Sequence, residues 1–179
     1  MNDRPSRAAA GFAAAIGLAA TIGLASTAAM PACAAVLDDK DTARLVSINE
    51  AIASFENDVG SALHNLKPEE ADQIESYAYV ELNLEAAHER LNTVFMMAAV
   101  SIYVESATDQ ELLLHVLHGQ LLSRSRNYLD EKKDAIASMA AAHPDNKVFA
   151  EYSRRANALL GDRAIPLLEE LERRLGTRQ

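Results

Sequence analysis

The chain has 179 residues and a net charge of −9, so acidic side chains outnumber basic ones. This length is enough for one domain with a single sizeable hydrophobic core. An acidic surface disfavours binding to nucleic acid and to anionic lipid, and it favours solubility or a basic partner. The single cysteine, Cys33, excludes an intramolecular disulfide and any site built from several thiolates.

The first 34 residues have the composition of a secretory signal peptide. Arg4 and Arg7 form a short positive segment, an uncharged run rich in alanine follows from residue 8 to residue 29, and Ala32-Cys33-Ala34 has small residues where signal peptidase cuts. We therefore predict cleavage after Ala34, which leaves residues 35–179 as a single mature domain in the periplasm or outside the cell. Cleavage would also remove Cys33, and with it thiolate chemistry and covalent c-type haem attachment.

Two alternatives would bring the domain to a membrane. The uncharged run is about long enough to span a bilayer and would act as an anchor if it stayed uncleaved, although alanine contributes little hydrophobic transfer energy. Met30-Pro31-Ala32-Cys33 faintly resembles the lipobox of bacterial lipoproteins, which implies lipidation of Cys33. A membrane is therefore a predicted partner only if Cys33 is lipidated or the segment is left uncleaved.

Apolar residues recur at helical spacing along the mature part, whereas strand signals are nearly absent. The first predicted helix covers about residues 41–66. The second covers about residues 68–105 and begins at Pro68, because proline suits the first turn of a helix. Their inner seams, at alternating steps of three and four, are Leu45, Ile48, Ile52, Phe55, Val59, Ala62 and Leu66, and then Tyr77, Val80, Leu84, Ala87, Leu91, Val94 and Ala98.

The third predicted helix is marked at both of its ends. Thr108-Asp109-Gln110-Glu111 has the form of a capping box, in which the threonine hydroxyl and the glutamate carboxylate each accept a hydrogen bond from an unpaired backbone amide. The helix should end at His143-Pro144, because a proline disfavours helical geometry in the residue before it.

The fourth predicted helix is capped by Asp145 or Asn146 and closes at Gly176. Gly161 and Pro166 interrupt its pattern, so we expect a kink or a break there. Because three short connections join the four helices, consecutive helices should be antiparallel. The predicted fold is an all-α, up-down-up-down antiparallel four-helix bundle.

Two histidine motifs suggest a metal or haem as an alternative function. Glu85 and His88 have the Glu-x-x-His spacing of dimetal bundles, but the second copy of that motif is missing. His115 and His118 could supply two imidazoles. The two motifs lie at levels about 10 Å apart along the bundle, so one shared site is not expected. Solvated helix faces explain both motifs more simply, and we predict no cofactor.

Catalytic motifs are missing from the sequence. There is no Gly-x-Ser-x-Gly nucleophile elbow, no His-Glu-x-x-His helix and no glycine-rich loop for phosphate. Gly60 and Gly119 fall inside predicted helices, where they indicate close helix approach or local flexibility. We therefore expect the protein not to be an enzyme.

The turn between the second and third helices is flanked by unusually apolar sequence, over residues 94–104 and 112–117. A helix that is apolar on every side needs burial on every side, and the predicted first helix is too short to cover this tip. We predict an interaction surface for a protein partner or a second copy, formed by Phe95, Met96, Met97, Val100, Tyr103 and Leu113. Alternatively, the end of the fourth helix and residues 36–40 cover the tip completely.

Overall fold

The computed structural model of the chain describes residues 37–67, 70, 73–100 and 107–176, without the side chains of residues 107, 108, 110, 114 and 118. The chain divides into two units between Ala34 and Ala35, and all described residues belong to the second. The predicted signal peptide, its cleavage site and Cys33 lie outside the described residues. Within the described ranges every regular element is helical, which confirms the all-α prediction. None of the helices in these ranges is both long and apolar enough to cross a membrane.

The described residues form four helical stretches. α1 is Asp39–His64 and α2 is Ile74–Val100. α3 runs from Ala107 to Ala142 and α4 from Lys147 to Gly176, and each contains a π-helical insertion. The segments of α3 are Ala107–Val116, the π-helix Leu117–Leu122 and Ser123–Ala142, and those of α4 are Lys147–Ala156, the π-helix Asn157–Ala164 and Ile165–Gly176.

Side-chain caps fix two of the helix starts. Before α1, a carboxylate oxygen of Asp38 accepts a hydrogen bond from the Asp41 amide at 2.7 Å. Before α4, the Asn146 side chain accepts one from the Val148 amide at 3.0 Å, so the predicted Asn146 cap is confirmed. The predicted end of the third helix before His143-Pro144 is also confirmed, whereas the residues after Gly176, which would show where the fourth helix ends, lie outside the described residues.

Two predicted helix starts need correction. The α-helix of α2 begins at Ile74 and not at Pro68, and Glu70 has 3₁₀ conformation. A Glu70 carboxylate oxygen accepts a hydrogen bond from the Lys67 amide at 3.1 Å, and the Glu70 amide donates to the Lys67 carbonyl at 2.9 Å. These two hydrogen bonds have the form of a capped first turn, so the turn at Glu70 is 3₁₀ and the α-helix begins at Ile74. Ala107 and Thr108 are already helical, so α3 does not open at Thr108 as predicted, and the residues before Ala107, with the predicted end of the second helix near residue 105, lie outside the described residues.

The interruption predicted at Gly161 and Pro166 is a change of helix type and not a break. Helical backbone continues through α4, and the π-helix Asn157–Ala164 lies directly before Pro166. A proline inside a helix leaves the carbonyl one turn earlier without its usual donor. That carbonyl belongs to a residue of the π-helix, whose turns are wider than those of an α-helix.

The core contains two clusters of buried apolar side chains, and partly buried Leu159 packs against both. One cluster is aromatic: the rings of Phe55, Tyr77, Phe149 and Tyr152 lie with centroids 5.0–6.2 Å apart, in tilted or edge-to-face arrangements. All seven predicted seam residues of α2 are buried, and so are the first five of α1. The predicted inner seams are therefore confirmed.

Each helix contacts its neighbour in sequence, and α4 also contacts α1 through its π-helix. The contact between the ends of α1 and α4 includes an ion pair of Arg174 with Asp41, whose carboxylate is buried. A four-helix bundle is compatible with this ring of contacts. In such an arrangement α2 packs between α1 and α3 and turns its remaining face outward.

Candidate interaction surface

Exposed apolar side chains are concentrated on α2. Among the residues whose side chains the structure describes, seven large hydrophobic residues are exposed, and five of these lie on α2. Singly scattered apolar residues are ordinary on a protein surface, whereas a contiguous apolar patch makes an element a candidate interaction surface. The five are Ile74, Tyr79, Leu82, Met96 and Val100, and the other two are Leu112 on α3 and Val148 on α4.

The exposed residues of α2 follow a regular spacing. Starting from Leu82 and ending at Val100, six positions at steps of four, three, four, three and four lie on the helix face opposite the buried seam. We call these six positions the outer stripe: Leu82, Ala86, Glu89, Thr93, Met96 and Val100. Leu82 is 61% exposed, Met96 45% and Val100 46%, and Glu89 is the one charged residue of the stripe.

The structure separates the residues predicted for the interaction surface. Met96 and Val100 lie one turn apart and are exposed, and Leu113 is half-buried. Phe95 is only 8% exposed and Met97 packs against the same core cluster, so neither belongs to the outer surface and the prediction is corrected for both. Their positions face the core because the buried seam continues through Val94 and Ala98. The predicted contribution of Tyr103 lies outside the described residues.

The alternative prediction is that the end of the fourth helix and residues 36–40 cover the tip. The described residues show such contacts only on the inner side of α2. Leu37 and the α4 residues Leu171 and Leu175 belong to the same buried cluster as Phe95 and Ala98. The segment before α1 and the end of α4 therefore cover the inner side of the α2 end. The outer side, with Met96 and Val100, stays exposed in the described part of the chain.

Tyr79 and Leu82 extend the exposed apolar face far from the predicted tip. Neither residue is among those predicted from the sequence, because the prediction followed the density of apolar residues near the turn. A second helical stripe was the available signal, since Tyr79 and Leu82 continue the spacing of Met96 and Val100 toward the start of α2. The exposed apolar residues of this face therefore lie in two groups, Tyr79 and Leu82 near the start of α2 and Met96 and Val100 near its end, with Glu89 and Thr93 exposed between them.

The structure does not bring the candidate metal ligands together. Nδ1 of His88 lies 3.3 Å from a carboxylate oxygen of Glu56 on α1, while Glu85 and His115 are exposed. The side chain of His118 is outside the description. Among the described residues, no group of three or more histidine, cysteine, aspartate or glutamate side chains is arranged to hold a metal ion.

The pair of Glu56 and His88 lies in an acidic groove between α1 and α2. Burial raises the pKa of Glu56; the neighbouring His88 opposes that rise, and Glu85 and Glu81 add to it. A carboxylate can orient an imidazole as a general base. The other groups that act on Glu56 are themselves carboxylates and supply no activated nucleophile, so the pair is best described as a polar contact between two helices.

No protein-family model, no curated protein and no solved structure matches this chain. The function is therefore argued from the residues of this chain alone.

Proposed function

We propose that the mature domain is an exported protein-binding module that acts through the outer face of α2 and the start of α3, without catalysis. The observation that carries this proposal is that, among the side chains the structure describes, five of the seven exposed large hydrophobic residues lie on one helix. These side chains are not needed for the core, which the opposite face of α2 supplies. Leaving them in water forgoes about 25 cal/mol per Å² of apolar surface, which a partner would recover.

We also infer an up-down-up-down arrangement, because contacts between paired helices run in opposite chain directions. From Glu56 to Gly60 along α1, the contacting residue of α2 moves back from His88 to Glu81. The same reversal is supported by the pairs Asp41–Arg174 and Asp58–Arg155 between α1 and α4, Ser76–His143 and Arg90–Tyr128 between α2 and α3, and Arg126–Glu172 and Lys133–Gly161 between α3 and α4.

Export rests on the sequence of residues 1–34 and is tested at the N-terminus of the exported protein. We expect N-terminal sequencing of that protein to begin at Ala35. Recovery of Met1 would contradict cleavage, and a lipid on Cys33 would place the domain at a membrane surface instead of free in the periplasm.

The binding proposal is tested by capturing partners with three single variants. Wild-type protein, Met96→Glu, Val100→Glu and the control Val148→Glu are immobilised and exposed to an envelope extract, and bound proteins are identified by mass spectrometry. Val148 is a suitable control because it is an exposed large hydrophobic residue on α4 and does not belong to the outer stripe. We expect a protein that wild type and Val148→Glu retain and that both α2 variants lose, because a carboxylate in an apolar interface must be desolvated.

Folding is checked in the same samples by far-ultraviolet circular dichroism and thermal melting. All three substituted side chains are exposed, so all three variants should melt close to wild type. Equal capture by all four proteins, or capture lost equally with Val148→Glu, would contradict the assignment of the surface to α2.

A further inference from the structure

We propose that the groove between α1 and α4 beside Pro166 binds a small zwitterion of the α-amino-acid type, with Arg163 holding its carboxylate and Asp162 its ammonium group. This inference goes beyond the proposed function, because the groove is lined by residues of α1 and α4. The class of ligand follows from the size of the groove and from the charges in it that no other side chain neutralises.

The groove has a volume of about 320 Å³. This volume is near the lower limit for small-molecule sites in proteins. Ala43, Ile48 and Pro166 supply its apolar part, and its polar groups come from both helices. A groove of this size fits a molecule of a few heavy atoms.

Arg163 is a cation of this groove that lacks a carboxylate partner. Ion pairs join α1 to α4 on both sides of it, with Arg44–Glu170 and Asp58–Arg155 each at 2.8 Å. Arg163 forms no ion pair within the described part of the chain, and its guanidinium donates instead to the Ser47 hydroxyl at 3.1 Å.

The donors at Arg163 suit a carboxylate. A guanidinium has five N–H donors in a planar fork that matches the two oxygens of a carboxylate, and Ser47 accepts from only one of its nitrogens. The Ser47 hydroxyl also keeps its own hydrogen to donate. A ligand carboxylate in the groove can therefore accept hydrogen bonds from both side chains.

Asp162 supplies the opposite charge. It is exposed, it lines the same groove, and among the described residues it forms an ion pair neither with Arg163 nor with another cation. A simple anion in the groove would be attracted by Arg163 and repelled by Asp162, and a simple cation would meet the reverse. A molecule that carries both charges has a favourable contact with each, so a zwitterion fits the groove better than either.

The π-helix Asn157–Ala164 accounts for the position of these two consecutive residues. In an α-helix, consecutive side chains point about 100° apart. A π-helix has more residues per turn, so the angle is smaller and Asp162 and Arg163 can both line one groove. Insertions of this kind are frequent at functional sites.

The exposure of both charged side chains sets the expected strength. Exposed charges are screened by water and salt, and each contact contributes little free energy. The dissociation constant should therefore be about millimolar, and added salt should raise it.

Titration of the exported protein with L-alanine, followed by amide NMR spectra up to about 100 mM ligand, measures this binding. Two matched compounds each lack one of its charges: propionate has no ammonium group, and ethylamine has no carboxylate. We expect saturable shifts with L-alanine and at least about tenfold weaker binding of propionate and of ethylamine.

Variants of the two charged residues test the assignment of the site. Arg163→Gln and Asp162→Asn should each weaken L-alanine binding at least about tenfold. Arg154→Gln is the matched control, because Arg154 is an exposed arginine of α4 that pairs with Glu151 of the same helix at 2.7 Å. All three variants should melt close to wild type, since the substituted side chains are exposed.

The outcomes separate this inference from a surface contact and from the proposed function. An absence of saturable shifts with L-alanine, or equal weakening by Arg154→Gln and Arg163→Gln, would overturn the site. Equal binding of propionate and L-alanine would overturn the zwitterion and the role of Asp162. If Arg163→Gln and Ser47→Ala lowered only the melting temperature and left L-alanine binding intact, their contact would be merely structural. Capture of proteins by α2 is measured independently of Arg163, so either proposal can fail alone.

Discussion

α1 and the described part of α2 both bury an apolar seam, but their outer faces differ. α1 exposes no large hydrophobic residue, whereas α2 exposes five. One buried face per helix is enough for a bundle core, so α1 shows what the fold requires. The additional apolar side chains of α2 exceed that requirement, and this excess is the reason for assigning binding to α2.

Substitution inside the seam of α1 should have the largest effect. Phe55 is fully buried, and its ring lies 5.5 Å from that of Tyr152. The nearby cation that could offset a charge at position 55, Arg155, already pairs with Asp58. Phe55→Asp should abolish the fold, because removing the ring and burying an unpaired charge together cost at least about 5 kcal/mol, comparable to the whole stability of a small domain. Circular dichroism and chemical denaturation measure the loss.

Ser54→Asp is the matched control for Phe55→Asp, because Ser54 is the exposed neighbour on the same helix. It should change the free energy of unfolding by no more than about 0.5 kcal/mol. A cooperative melt of Phe55→Asp near that of wild type would mean that the α1 seam is not core, and the comparison of α1 with α2 would lose its basis.

Two adjacent methionines test the boundary between core and outer face on α2. Met97 packs against the core and Met96 is exposed, so the same change should have different effects one residue apart. We expect Met97→Glu to lower the free energy of unfolding by about 2–3 kcal/mol and Met96→Glu to change it by less than about 0.5 kcal/mol. Denaturant titration of both variants gives the difference, and equal destabilisation would place Met96 in the core as well.

The core could be predicted from the sequence because burial imposes a helical period on apolar residues. All seven predicted seam residues of α2, from Tyr77 to Ala98, are buried. The start of α2 could not be predicted in the same way, since Pro68 and its acidic neighbours suit a first turn as well as they suit the local turn that Glu70 makes with Lys67. The π-helix before Pro166 was visible only as an interruption, because sequence indicates strain in a helix without showing how the backbone resolves it.

The candidate surface was only partly predictable. High apolar density indicated the end of α2, but density does not say which side of a helix faces the core, so Phe95 and Met97 were grouped with Met96 and Val100. The facing direction depends on how the inner seam meets Leu37 and the end of α4, which are tertiary contacts. The ligand spacing of Glu85 and His88 was likewise a local pattern, and packing against α1 gave His88 a different neighbour, Glu56.

The contact of α1 with α2 at Gly60 should tolerate a larger residue. A Cβ there would lie 2.6 Å from a carboxylate oxygen of Glu81, the far end of a flexible side chain that can move away. Gly60→Ala should therefore raise the free energy of unfolding by up to about 1 kcal/mol through helix propensity. Gly119→Ala is a control in which the nearest atom, of His115, is 4.0 Å away. Destabilisation by Gly60→Ala alone would show that Glu81 is held in place between the two helices.

The smallest expected effect concerns the pH dependence of the groove between α1 and α2. Burial raises the pKa of Glu56 above its usual 4.5, so the folded protein holds this proton at a pH where the unfolded chain has lost it. Because the folded state then binds more protons, this group lowers the stability as the pH rises from 4.5 through the folded pKa. Glu56→Gln removes that titration, so the variant should gain stability relative to wild type over this interval. Denaturant titrations at several pH values, with exposed Glu50→Gln as the control for the lost charge, measure the difference. The same pH dependence for both variants would mean that Glu56 is no more perturbed by burial than a surface carboxylate of α1.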